Sequence, residues 1–280
     1  MPLVVGIYAP NAPNLIDPEI FGGVGTDTVR ALRRLEVAAR YRPDAVVVAS
    51  PHWVSPQEFL VEESPSLKQI FDFSGFPRRL YEVRYAPPGD PALARALVDE
   101  GRARGLPVRG SRGWGLDHGA WAPLLHLFPG AETPTVPLSM TPRTADDHLA
   151  WGAAIGAACA ASPRRIAFVA TGSITHRLDR FGRDPAARWP EGEALEREVV
   201  DLLLARRYGD VARFDPAKWA RLAPEGDLAP LFELVGALGP AFVPRLVATG
   251  QAFGAAGMTI LEFTPPDAGA AVQPGRDVSP

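Results

Sequence analysis

The 280-residue sequence predicts a single α/β domain: a largely parallel central sheet, helices on both faces and some antiparallel edge strands. Three observations carry that expectation. Residues 45–50 (Ala-Val-Val-Val-Ala-Ser) and 165–171 (Arg-Ile-Ala-Phe-Val-Ala-Thr) are short apolar runs of the kind buried on both faces of a parallel sheet. Longer stretches with helical apolar spacing alternate with such runs along the chain. Neither an internal repeat nor a linker-like change of composition interrupts this alternation before residue 265. The domain is therefore expected over 1–264. Residues 265–280, small, polar and proline-bearing, are expected to form a disordered tail.

Taken in order, residues 3–8 form a first β-run and feed a Pro- and Asn-rich loop at 9–18. Val29, Leu32, Leu35 and Ala39 share a helical face within 26–41. Shorter alternating runs at 57–62 and 81–85 suit strands near a sheet edge. Asp90-Pro91 supplies an N-cap and a first-turn proline for a helix over 91–104, which Gly105 closes, and a short strand follows near 107–109. Asp117 precedes a helix at 119–128, and a proline-flanked strand covers 133–140. Thr144 with Asp146 and Asp147 opens a helix running to 161, and strand 165–171 follows it. The strongest helical pattern lies at 191–208, with Leu195, Val199, Leu202 and Leu203 on one face. Helices at 215–222 and 228–238 then precede strands at 244–249 and 257–263.

Composition removes several classes of function. With 29 basic and 32 acidic residues the net charge is −3, and no basic run offers a nucleic-acid footprint. The lone Cys159 makes no intrachain disulfide and sits in a small-residue helix without a reactive context. No basic residue precedes the first apolar run, and the longest apolar segment, 150–161, is short of the ~20 residues a membrane span requires. A cytoplasmic protein without membrane contact is expected. No GxxxxGK[ST] or GxSxG motif is present, and the turn Gly22-Gly23-Val24-Gly25 does not match the dinucleotide-binding spacing.

Open α/β sheets bind ligands beyond the carboxyl ends of their strands. Three of the strand runs end there in loops that carry coordinating or proton-handling groups: Ala9-Pro10-Asn11-Ala12-Pro13-Asn14, Ser50-Pro51-His52-Trp53 and Thr171-Gly172-Ser173-Ile174-Thr175-His176. Gly115-Leu116-Asp117-His118-Gly119 opens a helix, whose positive end favours a neutral, proton-accepting ring. For each of these three histidines a packing or surface role competes with a chemical one. For His126 and His148 the structural or surface role is preferred. Arg78, Arg79 and Arg177 lie close enough in sequence to pair with a substrate carboxylate, or else lie in solvent.

Together these loops resemble the class III extradiol ring-cleaving dioxygenases, most of all their 4,5-DOPA dioxygenase branch. The likeness rests on Ser50-Pro51-His52-Trp53, on Phe71-Asp72-Phe73-Ser74-Gly75-Phe76-Pro77 leading to Leu80-Tyr81, on Gly115 to Leu124 and on Gly172 to His176. It extends over residues 3–263. The resemblance implies a mononuclear non-haem metal, Fe(II) or alternatively zinc, held by three protein groups that leave positions for a diol and O₂. On this pattern His52 is a metal ligand, and His118 and His176 are catalytic histidines that handle protons. Asn11 stands where the family has its first ligand histidine. Asp227 falls at the third ligand position, although it also suits an N-cap for the helix after it.

The expected activity is extradiol ring opening of a catechol-type aromatic with O₂, by a homo-oligomer whose partners are a small aromatic diol and O₂. Because an amide oxygen is a weaker Fe(II) ligand than imidazole, a non-catalytic relative that binds a small molecule or a protein partner is the alternative. A zinc hydrolase using the same ligands is a third, weaker expectation.

Overall fold

The computed structural model describes residues 2–182, 184 and 187–266. Of the expected tail at 265–280, residues 267–280 lie outside these residues. Strands β1 (Leu3–Ala9), β2 (Ala45–Val54), β5 (Thr135–Met140) and β6 (Ile166–Thr171) form a parallel centre in the spatial order β5-β2-β6-β1. Beyond β5 lie β3 (Phe59–Glu62), antiparallel to β5, and the edge strand β4 (Val108–Ser111), parallel to β3. On the other side, β10 (Ile260–Thr264) pairs antiparallel with β1 and with the edge strand β7 (Val243–Ala248). A separate small hairpin joins β8 (Gln251–Ala252) and β9 (Ala256–Gly257). This is the expected α/β architecture, with antiparallel strands confined to the flanks.

The period-2 geometry of the central strands divides the core in two. Ala45, Val47 and Ala49 of β2, with Ile166, Phe168 and Ala170 of β6, face α3 (Pro91–Ala103), α5 (Ala145–Ala161), α6 (Pro190–Leu204) and α9 (Ala229–Leu238). Val46 and Val48, with Ala167 and Val169, face α1 (Thr26–Arg34), α2 (Val37–Tyr41) and α4 (His118–Leu127). The unbroken apolar runs thus have a direct cause: both faces are covered. The short helices α7 (Tyr208–Ala212) and α8 (Pro216–Leu222) complete the layer beside α6.

Four local expectations change. The helical pattern at 26–41 is two helices, because Glu36 takes a left-handed conformation (φ 47°) between α1 and α2. Residues expected as a strand at 81–85 begin in a 3₁₀ turn at Arg78–Glu82, and Tyr85 is buried as a single anchor whose hydroxyl donates to the Phe128 carbonyl (3.2 Å). The pattern at 191–208 stops at Leu204, followed by left-handed Arg206 (φ 58°) before α7. Gly257, expected in the last strand, belongs to the small hairpin. In each case a periodic apolar pattern survives a backbone break, since burial depends on which side chains face inward and not on continuous hydrogen bonding.

Candidate active site

The first three loops meet as expected at the carboxyl ends of β1, β2 and β6. Strand β2 loses regular pairing with β5 between Ala49 and Val54, and His52 projects from this irregular stretch. Asp117 caps α4: its Oδ1 accepts from Ala120 N (3.0 Å) and from Ser50 Oγ (2.6 Å), while Oδ2 accepts from Trp114 Nε1 (2.9 Å). One carboxylate therefore ties the start of α4 to the end of β2. That tie brings His118 and His52 to 4.4 Å between ring centroids, edge to face. Gly119 is required at this approach, because a Cβ there would stand 2.5 Å from Ser50 Oγ and 2.9 Å from His52 Cδ2.

Asp72, from the Phe71–Pro77 motif, bridges the two rings. His52 Nδ1 donates to its Oδ2 (2.6 Å), and the His118 backbone N–H donates to its Oδ1 (2.7 Å). The ring Nδ1 of His118 lies 2.9 Å from the same Oδ1. Burial opposes ionisation of Asp72, but the hydrogen bonds from His118 and His52 prevail and hold its carboxyl well below the usual range. The sequence presented this motif without a role for Asp72. The only signal for one was an acid inside an aromatic segment that otherwise packs: Phe73 lies edge-on to His118 at 5.0 Å.

On the other side of His52 stands Glu225. His52 Nε2 donates to its Oε1 (3.0 Å), and Asn11 Nδ2 donates to the same oxygen (3.2 Å). His176 Nε2 lies 4.0 Å from it. Burial alone would pull His52 down. Asp72 and Glu225, one at each ring nitrogen, instead raise it to about 10. Burial would raise Glu225, yet His52 holds it below its ordinary value. Among the described residues its Oε2 is buried without a hydrogen-bond partner, as is the Tyr8 hydroxyl, which burial and then Glu225 push well above the usual phenol range. Asn11, His52, His118, His176 and Glu225 all line one cavity of about 310 Å³.

Asp227 is not brought to this cavity. Gly226, Asp227 and Leu228 are consecutive left-handed residues (φ 55°, 50° and 59°), so the carboxylates on either side of Gly226 point to opposite sides of the turn. A side chain at Gly226 would strike Met140 Sδ at 2.6 Å, which holds the turn tight. Asp227 is exposed, accepts from Trp219 Nε1 (3.1 Å) and lines a different cavity of about 470 Å³. Nor does it cap the following helix, whose N-cap is Leu228 without a side-chain hydrogen bond. Glu225, two residues earlier, lines this cavity instead. No periodicity marks which of two nearby acids faces inward.

The two remaining histidines have both ring nitrogens within hydrogen-bond reach of protein groups. His126 Nε2 donates to the Leu15 carbonyl (2.7 Å) and its Nδ1 accepts from Arg33 Nε (3.3 Å). His148 is buried between Glu233 Oε1 and the Thr141 carbonyl, 2.9 Å from each. Cys159 is buried, which pushes its thiol up to about 12.

Two groupings suit a metal ion. His52, Asp72 and His118 offer ligand atoms all within 4.8 Å of one another. His52 Nε2, Glu225 and Asn11 converge on the cavity, where the unpartnered Oε2 of Glu225 is a free anionic donor. Imidazole, carboxylate and amide oxygen form a donor set suited to a divalent first-row metal.

With fold and geometry established, comparison with known proteins places the chain. The family described as the catalytic LigB subunit of aromatic ring-opening dioxygenase matches residues 2–260. The chain belongs to this family of class III extradiol dioxygenases. Among its relatives is the 4,5-DOPA dioxygenase extradiol of Escherichia coli K12, 38% identical over 140 residues, a stretch covering 49% of each chain. The protein of the same name from Mirabilis jalapa is 28% identical over 239 residues, covering 80% of this chain and 84% of the relative. A crystal structure of an uncharacterised E. coli K12 protein shares the fold, with a TM-score of 0.71 and 21% identity over 92% of this chain and 99% of its own. Among the described residues no helix is long and apolar enough to cross a membrane.

Proposed function

We propose that the protein is a metal-dependent extradiol dioxygenase that opens the ring of a catechol-type aromatic with O₂. Family membership supports the reaction class. The observation that carries the reading for this chain is the convergence of His52, His118, His176, Glu225 and Asn11 on one cavity from five separate stretches of sequence.

His52 Nε2 and Glu225 would hold the ion, with Asn11 as the third group once its amide turns Oδ1 toward the cavity. Fe(II) suits the family chemistry and Zn(II) would fit the same donors. When bound, the ion supplies Lewis acidity toward the two diol oxygens and a site for O₂. Asp72 would then act through the rings: by accepting from His52 Nδ1 it fixes the tautomer that leaves Nε2 free to ligate, the usual arrangement of carboxylate, histidine and metal. For this reason the cavity-facing set is preferred over the His52–Asp72–His118 set, in which Asp72 is already engaged by both histidines.

His118, whose Nδ1 lies 2.9 Å from Asp72 without hydrogen-bond geometry, borders the cavity and would accept a proton from the diol. His176 borders the cavity from the opposite loop, where it can hold the second hydroxyl or return a proton to the opened product.

Anaerobic loading with Fe(II), followed by a panel of catechols under O₂, tests the reading. A yellow ring-fission product and matching O₂ uptake are expected. Stoichiometric iron without product from any diol would count against it. One observation favours a second reading, a non-catalytic relative: Asn11 and His52 both donate to Glu225 Oε1, so the cluster is internally paired without an ion. Metal content of protein purified without added metal separates the two. Activity appearing only in Asn11→His would establish a degenerate natural site.

A further inference from the structure

We propose that this cavity selects catechols whose other substituents are uncharged and apolar, and discriminates against those bearing a carboxylate. This inference rests on the ring-opening reading above and names its substrate class.

The two ends of the cavity differ in character. Ring-binding groups cluster at the His52–Glu225 end, and the opposite wall is built from Phe21, Phe76, Leu178, Phe181 and Phe253. Those aromatic rings are contiguous: Phe21 meets Phe76 at 5.6 Å and Phe253 at 6.2 Å, and Phe253 stacks on Phe181 at 4.4 Å. Leu178 and Phe181 are 58% and 56% exposed, so apolar surface continues outward onto the rim. A catechol held by its diol would direct its remaining ring positions toward this wall.

No lysine or arginine is found among the described residues that line the cavity. Among the described residues, four arginines close in sequence to the lining are engaged elsewhere, Arg180 over the Trp189 ring at 4.6 Å. Arg78 pairs with Glu82 (3.0 Å) and is almost fully exposed, and Arg79 pairs with Asp17 (2.5 Å) and Glu19 (3.3 Å). Arg177 donates through Nε and Nη2 to Asp179, and through Nη1 to the Arg221 carbonyl. At the diol end the carboxylates of Glu225 and Asp72 are turned toward the histidines and already pair with His52. A carboxylate on the remaining ring positions would therefore lose its water against aromatic faces and find no lysine or arginine among the described residues that line the cavity. A buried charge without a partner is strongly disfavoured, whereas an apolar group of the same size gains from that wall.

The test is equilibrium binding under anaerobic conditions to the zinc-loaded protein, which holds catechols without opening them. Catechol, 3,4-dihydroxyphenylpropanoate and its methyl ester share the diol, and the last two differ chiefly in charge. The ester is expected to bind about 100-fold more tightly than the acid by calorimetry. Leu178→Arg, at an exposed position, is expected to narrow that gap about tenfold, chiefly by improving the acid. Equal or tighter binding of the acid to the natural protein, with catechol itself bound, overturns the selectivity and leaves the ring-opening reading standing. Failure of catechol to bind at all removes the ring-opening reading and this inference with it.

Discussion

Two histidine–carboxylate groups lie on either side of the 225–227 turn, and they show what burial alone does not confer. His148 and Glu233 are almost wholly enclosed, at 1% and 0% exposure. Both ring nitrogens of His148 face protein acceptors, and burial that would pull the ring down is overcome by Glu233, which raises it. His52 is likewise flanked at both nitrogens, by Asp72 and Glu225, and is raised for the same reason. The difference lies in the surroundings. Phe59 packs edge-on to His148, and the cavity of about 470 Å³ that its ring borders brings no second imidazole among the described residues. Around His52 stand two more imidazoles, an amide and an aromatic-walled cavity. A perturbed histidine therefore marks a structural pair as readily as a reactive site; convergence of further ligating groups on open space tells them apart.

Substitutions can break or sharpen this contrast. The largest effect is expected for His52→Ala and Glu225→Gln: bound metal and ring opening should both fall to background, read by elemental analysis and O₂ uptake. Retention of stoichiometric metal by Glu225→Gln would move the ion to the Asp72 side. Next come His118→Ala and His176→Ala, which should keep the metal but lower turnover about 10²–10⁴-fold, the span of a positioned proton-transfer group. Asp72→Asn keeps the ligands and removes the charge that orients them. Metal affinity should drop about 10–100-fold in a competition titration with a chelator.

On the other side of the turn, His148→Ala should cost about 3–5 kcal/mol of stability in urea denaturation, because it strands a buried carboxylate. Turnover per folded molecule should not change, nor should it in His126→Ala. A large loss of turnover in either would dissolve the distinction drawn above.

The smallest effect concerns Glu196, buried beneath the His176 loop and accepting from the hydroxyls of Thr175 and Thr259 (2.5 Å each). Burial raises its carboxyl above the ordinary 4.5 against the pull of those hydrogen bonds. The folded state then holds the proton more tightly than the unfolded chain. Its contribution is full below about 4.5 and declines as pH rises through the raised value. Glu196→Gln should flatten that decline when denaturation midpoints are compared between about pH 5 and 8.

Much of the site was legible in the order of residues. Asn11, His52 and His176 follow β-runs directly, and His118 follows a cap residue, so the topology of a parallel sheet was enough to expect them at one end. Asp117 was legible as a cap, and the structure shows that it also anchors Ser50. Asp72 and Glu225 were not assigned. Asp72 acts across 20 residues to His52 and 46 to the His118 backbone, and Glu225 acts across 173 to His52, distances over which no local pattern carries information. Glu225 and not Asp227 faces the cavity, because a turn of three left-handed residues sets two acids back to back and no spacing rule anticipates it.

The sequence by itself determined the alternation of strand and helix, the two-sided burial of β2 and β6, and the family, since these follow from local periodicity and from motifs read in order. Tertiary structure decided which carboxylates face the histidines, which arginines are already paired and what lines the wall opposite the diol. Those outcomes depend on how distant segments pack, and a side chain's direction in space is set by backbone turns and neighbours that its own stretch of sequence does not encode.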